Sequence, residues 1–320
     1  MKLWFYAFFM AWGMFLAIPC PFPKWDEAAR GRMLVCLPLV GVIVGGFWAL
    51  AAWLTQLIAL PQAVAALILA ALPWLITGFI HLDGFSDVCD AMLSHRDLQT
   101  RQKILKDPHC GAFGVICLLL LVLAQFAVFF SVRHPLPEGA AAAESGLEGA
   151  KPLLFPGLTP DPKTALLVSI GLIPVATRAC AGLAVLSLRP MKTSQYAGLS
   201  DTEKEKPAAE LKTEGVEDLS MQPAAKAEAY GKSELASELA REKRRRGFHR
   251  ALLVIMLLAS VAVPVVLFGS SGLAPAAAAA GYWLFALIAF RNLDGMSGDI
   301  SGFALTLGEL IGAAVLIFLK

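Results

Sequence analysis

Three aspartates stand close together at the end of a long apolar run. Asp83, Asp87 and Asp90 occur within eight residues, and on a helix of 3.6 residues per turn their side chains fall within an arc of about 60°. Unpaired carboxylates beside hydrocarbon are costly, so protonation, a basic partner or a divalent cation is expected to compensate them. Mg²⁺ binds oxygen ligands and often links carboxylates to substrate phosphates. The spacing therefore predicts a Mg²⁺ site, and a solvated polar helix end is the alternative.

A second candidate group follows in the segment KDPHCGAFG. Lys106 and Asp107 are candidates for contacting a phosphate group. Gly111 and Gly114 allow the chain to turn tightly into the next apolar stretch. The other basic residues of this region fit the general excess of positive charge in cytoplasmic loops.

Two more polar positions occur within or beside apolar segments. Arg178 lies in IPVATRACAGLAV, and a charged residue in such a segment usually faces a polar interior and has a partner. We expect that partner to be a phosphate or a carboxylate, and an arginine that extends to the membrane surface without a partner is the alternative. Gly298 and Asp299 belong to GMSGDISG, whose glycines favour a close approach of the backbone to a ligand or metal. A plain connecting turn is the alternative there.

The composition is typical of an integral membrane protein. Of the 320 residues, 57% are hydrophobic and 16% are charged, which is less charge than a soluble domain of this length carries. The net charge is only +2, and we expect no nucleic-acid partner. The six cysteines form neither a metal-binding spacing nor a disulfide framework.

Eight apolar stretches are long enough to cross about 30 Å of hydrocarbon as helices. They are residues 3–18, 34–55, 62–80, 115–131, 164–187, 250–269, 274–291 and 302–319. The first is short, and a re-entrant segment is the alternative to a span. We therefore predict an all-α, polytopic membrane protein with seven or eight transmembrane helices in a single domain, residues 1–320.

The distribution of basic residues predicts the orientation. Loops on one side of the predicted bundle contain nineteen Lys and Arg residues and those on the other side contain three, so the first side is expected to face the cytoplasm. The aspartates lie on that side. Residues 133–163 are predicted to form a non-cytoplasmic loop rich in Ala, Pro and Gly. Residues 197–249 are predicted to form a charged cytoplasmic insertion that ends in an amphipathic helix.

These features together indicate an enzyme that uses a divalent metal to act on a phosphoanhydride, because acidic clusters, basic residues and glycines meet at one membrane face. At these residues the chain resembles the cobalamin synthase family, the adenosylcobinamide-GDP ribazoletransferases. The stretches HLDGFSDVCDA, KILKDPHCGAFGV and GMSGDISGFALTLGEL, in this order, carry the resemblance. It implies a Mg²⁺-dependent, multi-pass inner-membrane enzyme whose active site faces the cytoplasm. Such an enzyme joins adenosylcobinamide-GDP to α-ribazole, or to its 5′-phosphate, and releases GMP.

The resemblance also implies roles for individual residues. The metal and diphosphate would be bound by Asp83, Asp87, Asp90 and Asp299. Either Asp87 or Asp90 would accept the proton of the ribose hydroxyl. The residues expected to contact substrate or phosphate are Lys106, Asp107, Gly111, Gly114, Arg178 and Gly298.

Other functions fit the same features less closely. A CDP-alcohol phosphotransferase or a prenyltransferase would also act on a diphosphate, but the former has an Ala-Arg after its Asp-Gly and further aspartates downstream. A cation-coupled transporter is the non-enzyme alternative, although acidic residues of transporters more often lie in the middle of a span. The expected partners are the two small-molecule substrates and the lipid bilayer, and the sequence leaves open a homo-oligomer.

Overall fold

The computed structural model describes residues 2–58, 60–131, 161–191 and 232–318, and these residues form helices joined by turns and short 3₁₀ segments. The helices are α1 (Lys2–Phe15), α2 (Glu27–Met33), α3 (Leu37–Leu57), α4 (Gln62–Ile76), α5 (Ile80–Leu93), α6 (Leu98–Ile104), α7 (Ala112–Phe130), α8 (Pro162–Ser187), α9 (Lys232–Phe268), α10 (Ala274–Leu293) and α11 (Gly298–Phe318). The described part contains no β-strand beyond one isolated bridge.

The helices confirm the predicted all-α, polytopic class. Within the described residues, six helices are long and apolar enough to cross a membrane, or seven if one bent pair of helices counts as a span. The first predicted stretch, residues 3–18, forms α1, whose 14 residues place it outside that set. Its length is short of the roughly 20 residues that a perpendicular crossing needs.

The third predicted stretch is not a single straight span. The helices α4 and α5 meet at an angle of 90°, and Gly78 and Phe79 between them have φ values of 61° and 63°. This left-handed conformation ends a helix, and a bulky residue rarely adopts it. The prediction of one helix over 62–80 with the aspartates at its end was therefore wrong, because the aspartates lie on the separate helix α5.

The core of the bundle is formed by close contacts between helices that contain small residues. The helix α3 packs along α8, and a Cβ atom on Gly45 would overlap the carbonyl of Gly171. By contrast, α7 and the apolar part of α9 leave most of their surface exposed. Leu119, Leu120 and Leu123 of α7 are examples of exposed apolar side chains. Such outward apolar faces are suited to contact with lipid.

The ends of three helices are tied together near the N-terminus of α11. The backbone N–H of Met191 donates to the carbonyl of Met296 at 2.9 Å. The backbone N–H of Met296 donates to the carbonyl of Arg189 at 2.8 Å. Gly295 has φ +153°, and a Cβ atom there would overlap the backbone of Met191. The side chain of Gln102 in α6 donates to the carbonyl of Leu293 at 2.8 Å. These bonds fix the turn that precedes α11.

Most of the two predicted loops lies outside the described residues. Of 133–163, only residues 161–163 are described, and there the Asp161 side chain caps α8 by accepting from the N–H of Lys163 at 3.3 Å. Of 197–249, the residues from Lys232 onward belong to α9, which continues into the apolar segment without a break. The structure thus has a helix at the end of the charged segment, and its amphipathic character and cytoplasmic side stay predictions.

Candidate functional site

The crossing of α5 and α11 brings the two acidic segments together. A Cβ atom on Gly84 would lie 2.9 Å from the Cα of Asp299, so only glycine permits this approach. The same crossing places Gly302 against the backbone of His81. Two segments separated by more than two hundred residues therefore meet at one point of the bundle.

At this crossing several carboxylates share one region. Asp87 lies within electrostatic range of Asp83, Asp299 and Asp90. Asp83 is exposed, whereas Asp87 and Asp299 are half-buried. Asp299 also lies in the first turn of α11, where the helix dipole favours a negative charge. The hydroxyl of Ser297 donates to its Oδ2 at 3.4 Å. The structure thus brings Asp299, which the resemblance grouped with the aspartates of α5, close to Asp83 and Asp87.

The donor set suits a hard cation that the protein does not enclose completely. Within the described residues no three His, Cys, Asp or Glu side chains are placed so as to hold a metal ion by themselves. Asp83, Asp87 and Asp299 offer oxygen ligands from two helices. Mg²⁺ typically takes one or two carboxylates and completes its shell with water and substrate phosphates. The residues present therefore fit Mg²⁺ shared with a phosphate-bearing ligand.

Asp90 has a different environment from the other carboxylates. Its Oδ2 accepts the backbone N–H of Gly111 at 2.7 Å, and its Oδ1 accepts that of Gly114 at 2.9 Å. Cβ atoms on either glycine would overlap the carboxylate, and the side chain is buried. Asp90 thus holds the start of α7 against α5 through two hydrogen bonds. The metal role predicted for Asp90 and the phosphate role predicted for the two glycines remain predictions, and the structure shows them bonded to each other.

Lys106 and Asp107 follow α6 and are exposed. The positive charge of Lys106 lies close enough to interact with the carboxylate of Asp299. Lys106 is therefore near the acidic cluster. Asp107 accepts the backbone N–H of His109 at 3.0 Å and contacts its Nδ1 at 2.7 Å. These hydrogen bonds, the backbone one first, lower the pKa of Asp107 below its usual range. Among the two, Lys106 is the better placed for contacting a bound phosphate.

Arg178 is buried and has the carboxylate partner that the sequence led us to expect. Its Nη1 donates to Oε1 of Glu309 at 2.6 Å, and both side chains are less than 4% exposed. The Thr177 hydroxyl donates to the same Glu309 oxygen at 3.3 Å. The Nε and Nη2 of Arg178 are buried and have no hydrogen-bond partner. The protein therefore provides hydrogen-bond acceptors for Nη1 of Arg178 but not for Nε and Nη2.

A cavity of about 200 Å³ connects these groups. Asp83, Gly298 and Asp299 line it together with Arg178 and His81. The Nε2 of His81 is buried and also has no partner. The predicted residues Asp83, Gly298, Asp299 and Arg178 thus share one space. The other predicted site residues do not line it; they are Asp87, Asp90, Lys106, Asp107, Gly111 and Gly114.

Two features of the site were missed from the sequence. His81 precedes the first aspartate by only two residues, and its place on the same helix was the available signal. Glu309 is the single carboxylate deep in α11, and Arg178 is the single cation deep in α8. Ionisable residues in membrane segments usually pair with one another, so matching opposite charges would have paired them.

The comparisons with known proteins show which family the sequence matches. The sequence model of the cobalamin-5-phosphate synthase family matches residues 7–211 and 194–317. An adenosylcobinamide-GDP ribazoletransferase of Clostridium perfringens is 40% identical over 134 residues, which are 42% of this chain and 53% of the relative. One of Clostridium botulinum is 40% identical over 131 residues, or 41% and 52%, and one of Geotalea daltonii is 37% identical over 126 residues, or 39% and 51%.

The matched part thus spans about half the length of these curated relatives. No solved structure matches the chain. The family model, in contrast, matches nearly the whole chain, including all three segments that carry the acidic cluster and the glycines. The chain therefore belongs to the cobalamin-5-phosphate synthase family.

Proposed function

We propose that this protein transfers the phosphocobinamide group of adenosylcobinamide-GDP to α-ribazole or its 5′-phosphate, in the assembly of the cobalamin nucleotide loop. The observation that carries the proposal is the convergence of Asp83, Asp87 and Asp299 beside a cavity that also contains Arg178. Two relatives that are 40% identical to the chain, over 134 and 131 residues, are named adenosylcobinamide-GDP ribazoletransferases. A diphosphate donor supplies the negative charge that a metal bound to several carboxylates attracts.

The reaction is a substitution at phosphorus. A ribose hydroxyl oxygen of the acceptor forms a bond to the phosphorus that bears cobinamide, and the bond from that phosphorus to the oxygen of GMP breaks. The hydroxyl proton passes to a carboxylate, and GMP leaves with the bridging oxygen. Positioning and charge stabilisation supply most of the catalysis in phosphoryl transfer. Asp87 is the candidate proton acceptor because the oxygens of Asp90 already accept two N–H groups.

Mg²⁺ is part of the proposal. Asp83, Asp87 and Asp299 would hold it, and when bound it would neutralise charge on the diphosphate. Lys106, close to Asp299, would offset part of the charge that builds up on the departing phosphate.

The site is proposed to face the cytoplasm from the inner membrane. The support is the excess of Lys and Arg in the loops on the side of the aspartates, nineteen against three. Both substrates carry polar or charged groups, so an active site open to the cytoplasm would receive them without their crossing the bilayer.

Purified protein in detergent, supplied with adenosylcobinamide-GDP, α-ribazole and Mg²⁺, tests the proposal by the release of GMP. We expect release that requires both substrates and is abolished by a chelator and restored by added Mg²⁺. CDP-diacylglycerol replaces the donor in a parallel reaction. Release of CMP from it in place of GMP, or release of neither nucleotide by folded protein, would refute the proposed activity.

A further inference from the structure

The cavity beside the acidic cluster is mostly apolar away from its carboxylates. Its wall includes Phe15 and Leu37 from the N-terminal half, and Ala181, Val185 and Leu305 from α8 and α11. Apolar cavities of about 150 Å³ bind a molecule as large as benzene. A volume of about 200 Å³ is therefore of the size for one substituted ring system, and is far too small for a corrinoid.

Two polar side chains in the wall of this cavity have unmet hydrogen-bonding capacity. His81 is 8% exposed and its Nε2 has no partner, and Arg178 is 2% exposed with Nε and Nη2 unpaired. The two side chains lie close enough to interact electrostatically. A buried polar group without a partner costs about 1–3 kcal/mol. Neighbouring groups that both lack partners therefore indicate a ligand that satisfies them.

The electrostatics of the cavity select the kind of ligand. Asp83 and Asp299 line it, and the charge of Arg178 is already balanced by Glu309. A bare anion would be repelled by these carboxylates, whereas a neutral flat ring would bury apolar surface. A ring nitrogen and ribose hydroxyls of the ligand would accept hydrogen bonds from Arg178. One of these acceptors would also accept a hydrogen bond from Nε2 of His81, in the tautomer that has its proton on Nε2. Phe15 and His81 lie nearly parallel, with 20° between their planes.

We infer that this cavity binds the base of the acceptor nucleoside, a neutral bicyclic heteroaromatic ring, with His81 and Arg178 as its polar contacts. The inference rests on the proposed function and deepens it, because it assigns the acceptor to the cavity and the donor diphosphate to the carboxylates at the crossing of α5 and α11. A base in this position would place its ribose toward Asp83 and Asp299. The attacking hydroxyl would then lie beside the carboxylates.

Inhibition of the wild-type enzyme by dimethylbenzimidazole, the acceptor base without its ribose, is the first test. We expect inhibition that is competitive with α-ribazole and not with adenosylcobinamide-GDP, because the free base would occupy the same cavity. Competition with the donor instead would assign the cavity to part of the donor and overturn the inference. Absence of inhibition at millimolar base would also overturn it.

Variants of cavity residues test the same assignment, because they should change the KM for α-ribazole and leave the KM for the donor unchanged. Ala181→Leu fills the cavity, and His81→Phe removes Nε2 while retaining a ring beside Phe15. In each we expect KM for α-ribazole to rise about tenfold or more, with KM for the donor within about twofold. Matched controls are Ala165→Leu, on the same helix and similarly buried, and His249→Phe, a buried histidine elsewhere. Neither control residue lines the cavity, and both variants should keep the wild-type KM values.

The failure of this inference can be distinguished from failure of the proposed function. If no GMP is released by wild-type protein, the proposed activity fails, and equilibrium dialysis with dimethylbenzimidazole tests the cavity alone. Binding that is lost in Ala181→Leu but kept in Ala165→Leu would support a heteroaromatic site. If turnover is normal and both cavity variants leave the acceptor KM unchanged, the inference is wrong and the activity stands.

Discussion

The two ends of α5 contain carboxylates of the same type in opposite environments. Asp90 is buried and both its oxygens accept backbone N–H groups, from Gly111 and Gly114. Asp83 is exposed and Asp87 half-buried, and both lie near the further carboxylate of Asp299. A charge satisfied by fixed donors stabilises one conformation. A cluster of like charges stores unfavourable energy that a cation or substrate can release. We infer from this contrast that one end of α5, with Asp90, is structural and that the other, with Asp83 and Asp87, is the functional end.

The largest expected effect follows from a change at the functional end. Asp87→Asn keeps the size of the side chain but removes a metal ligand and the proposed proton acceptor. We expect turnover to fall by at least about a thousandfold, because charge stabilisation and proton transfer are both lost. The rate of GMP release from protein of unchanged yield and elution profile measures it. Residual activity above one tenth of wild type would remove Asp87 from the site.

The matched control is Asp97→Asn, an aspartate of similar chemistry outside the site. Asp97 caps α6 by accepting the N–H of Thr100 at 3.1 Å. It is exposed and is not one of the carboxylates that act on Asp87. Turnover of this variant should stay within about twofold of wild type, since exposed surface substitutions have small effects. A comparable loss in both variants would show that any missing aspartate near the membrane face is damaging.

The acidic face of α5 was predictable because helical periodicity depends only on local spacing. The sequence placed Asp83, Asp87 and Asp90 on one arc and assigned the all-α membrane class, and both are confirmed. The 90° bend before α5 was not predictable from the sequence. Left-handed Gly78 is common at helix ends, but left-handed Phe79 is favoured only by packing around it.

The partners of the charged groups were not predictable from spacing either. Asp90 bonds to residues 21 and 24 positions away, and Arg178 to a residue 131 positions away. Such contacts depend on which helices become neighbours, which hydrophobic periodicity does not specify. As a result, the sequence grouped Asp90 with the metal ligands, whereas the structure shows it bonded to the start of α7.

The buried ion pair of Arg178 and Glu309 is a second place where a charge is satisfied by a fixed partner. Arg178→Met leaves Glu309 buried without its cation, and loss of one partner from a buried pair costs about 3–5 kcal/mol. We expect the double variant Arg178→Met with Glu309→Leu to be less destabilised than Arg178→Met alone, because no uncompensated charge remains. Denaturant unfolding in detergent measures both. Strictly additive losses would show that the pair is not coupled.

A change at the structural end should affect stability rather than chemistry. Gly114→Ala places a methyl group against Asp90 and Ser86, and overpacking of this kind costs about 1–3 kcal/mol. Asp90→Asn should destabilise by a similar amount, since an amide donor then faces an N–H group. Asp83→Asn should leave stability unchanged or slightly raised, because it reduces repulsion with Asp87. Equal destabilisation by the Asp83 and Asp90 variants would abolish the distinction between the two ends of α5.

The smallest expected effect concerns the turn that leads into the Asp90 contact. Hydrogen bonds from His109 lower the pKa of Asp107 in the folded protein. The ionised carboxylate therefore stabilises the folded state at pH values above the pKa that Asp107 has in the unfolded chain. This stabilisation is lost as the pH falls through the lower pKa of the folded state. Asp107→Asn should therefore reduce the unfolding temperature slightly at neutral pH, and the difference from wild type should vanish in acid. Unfolding temperatures of both proteins between neutral and acidic pH measure this. A difference that persists or grows in acid would mean that the ionised Asp107 carboxylate does not stabilise the turn before Gly111.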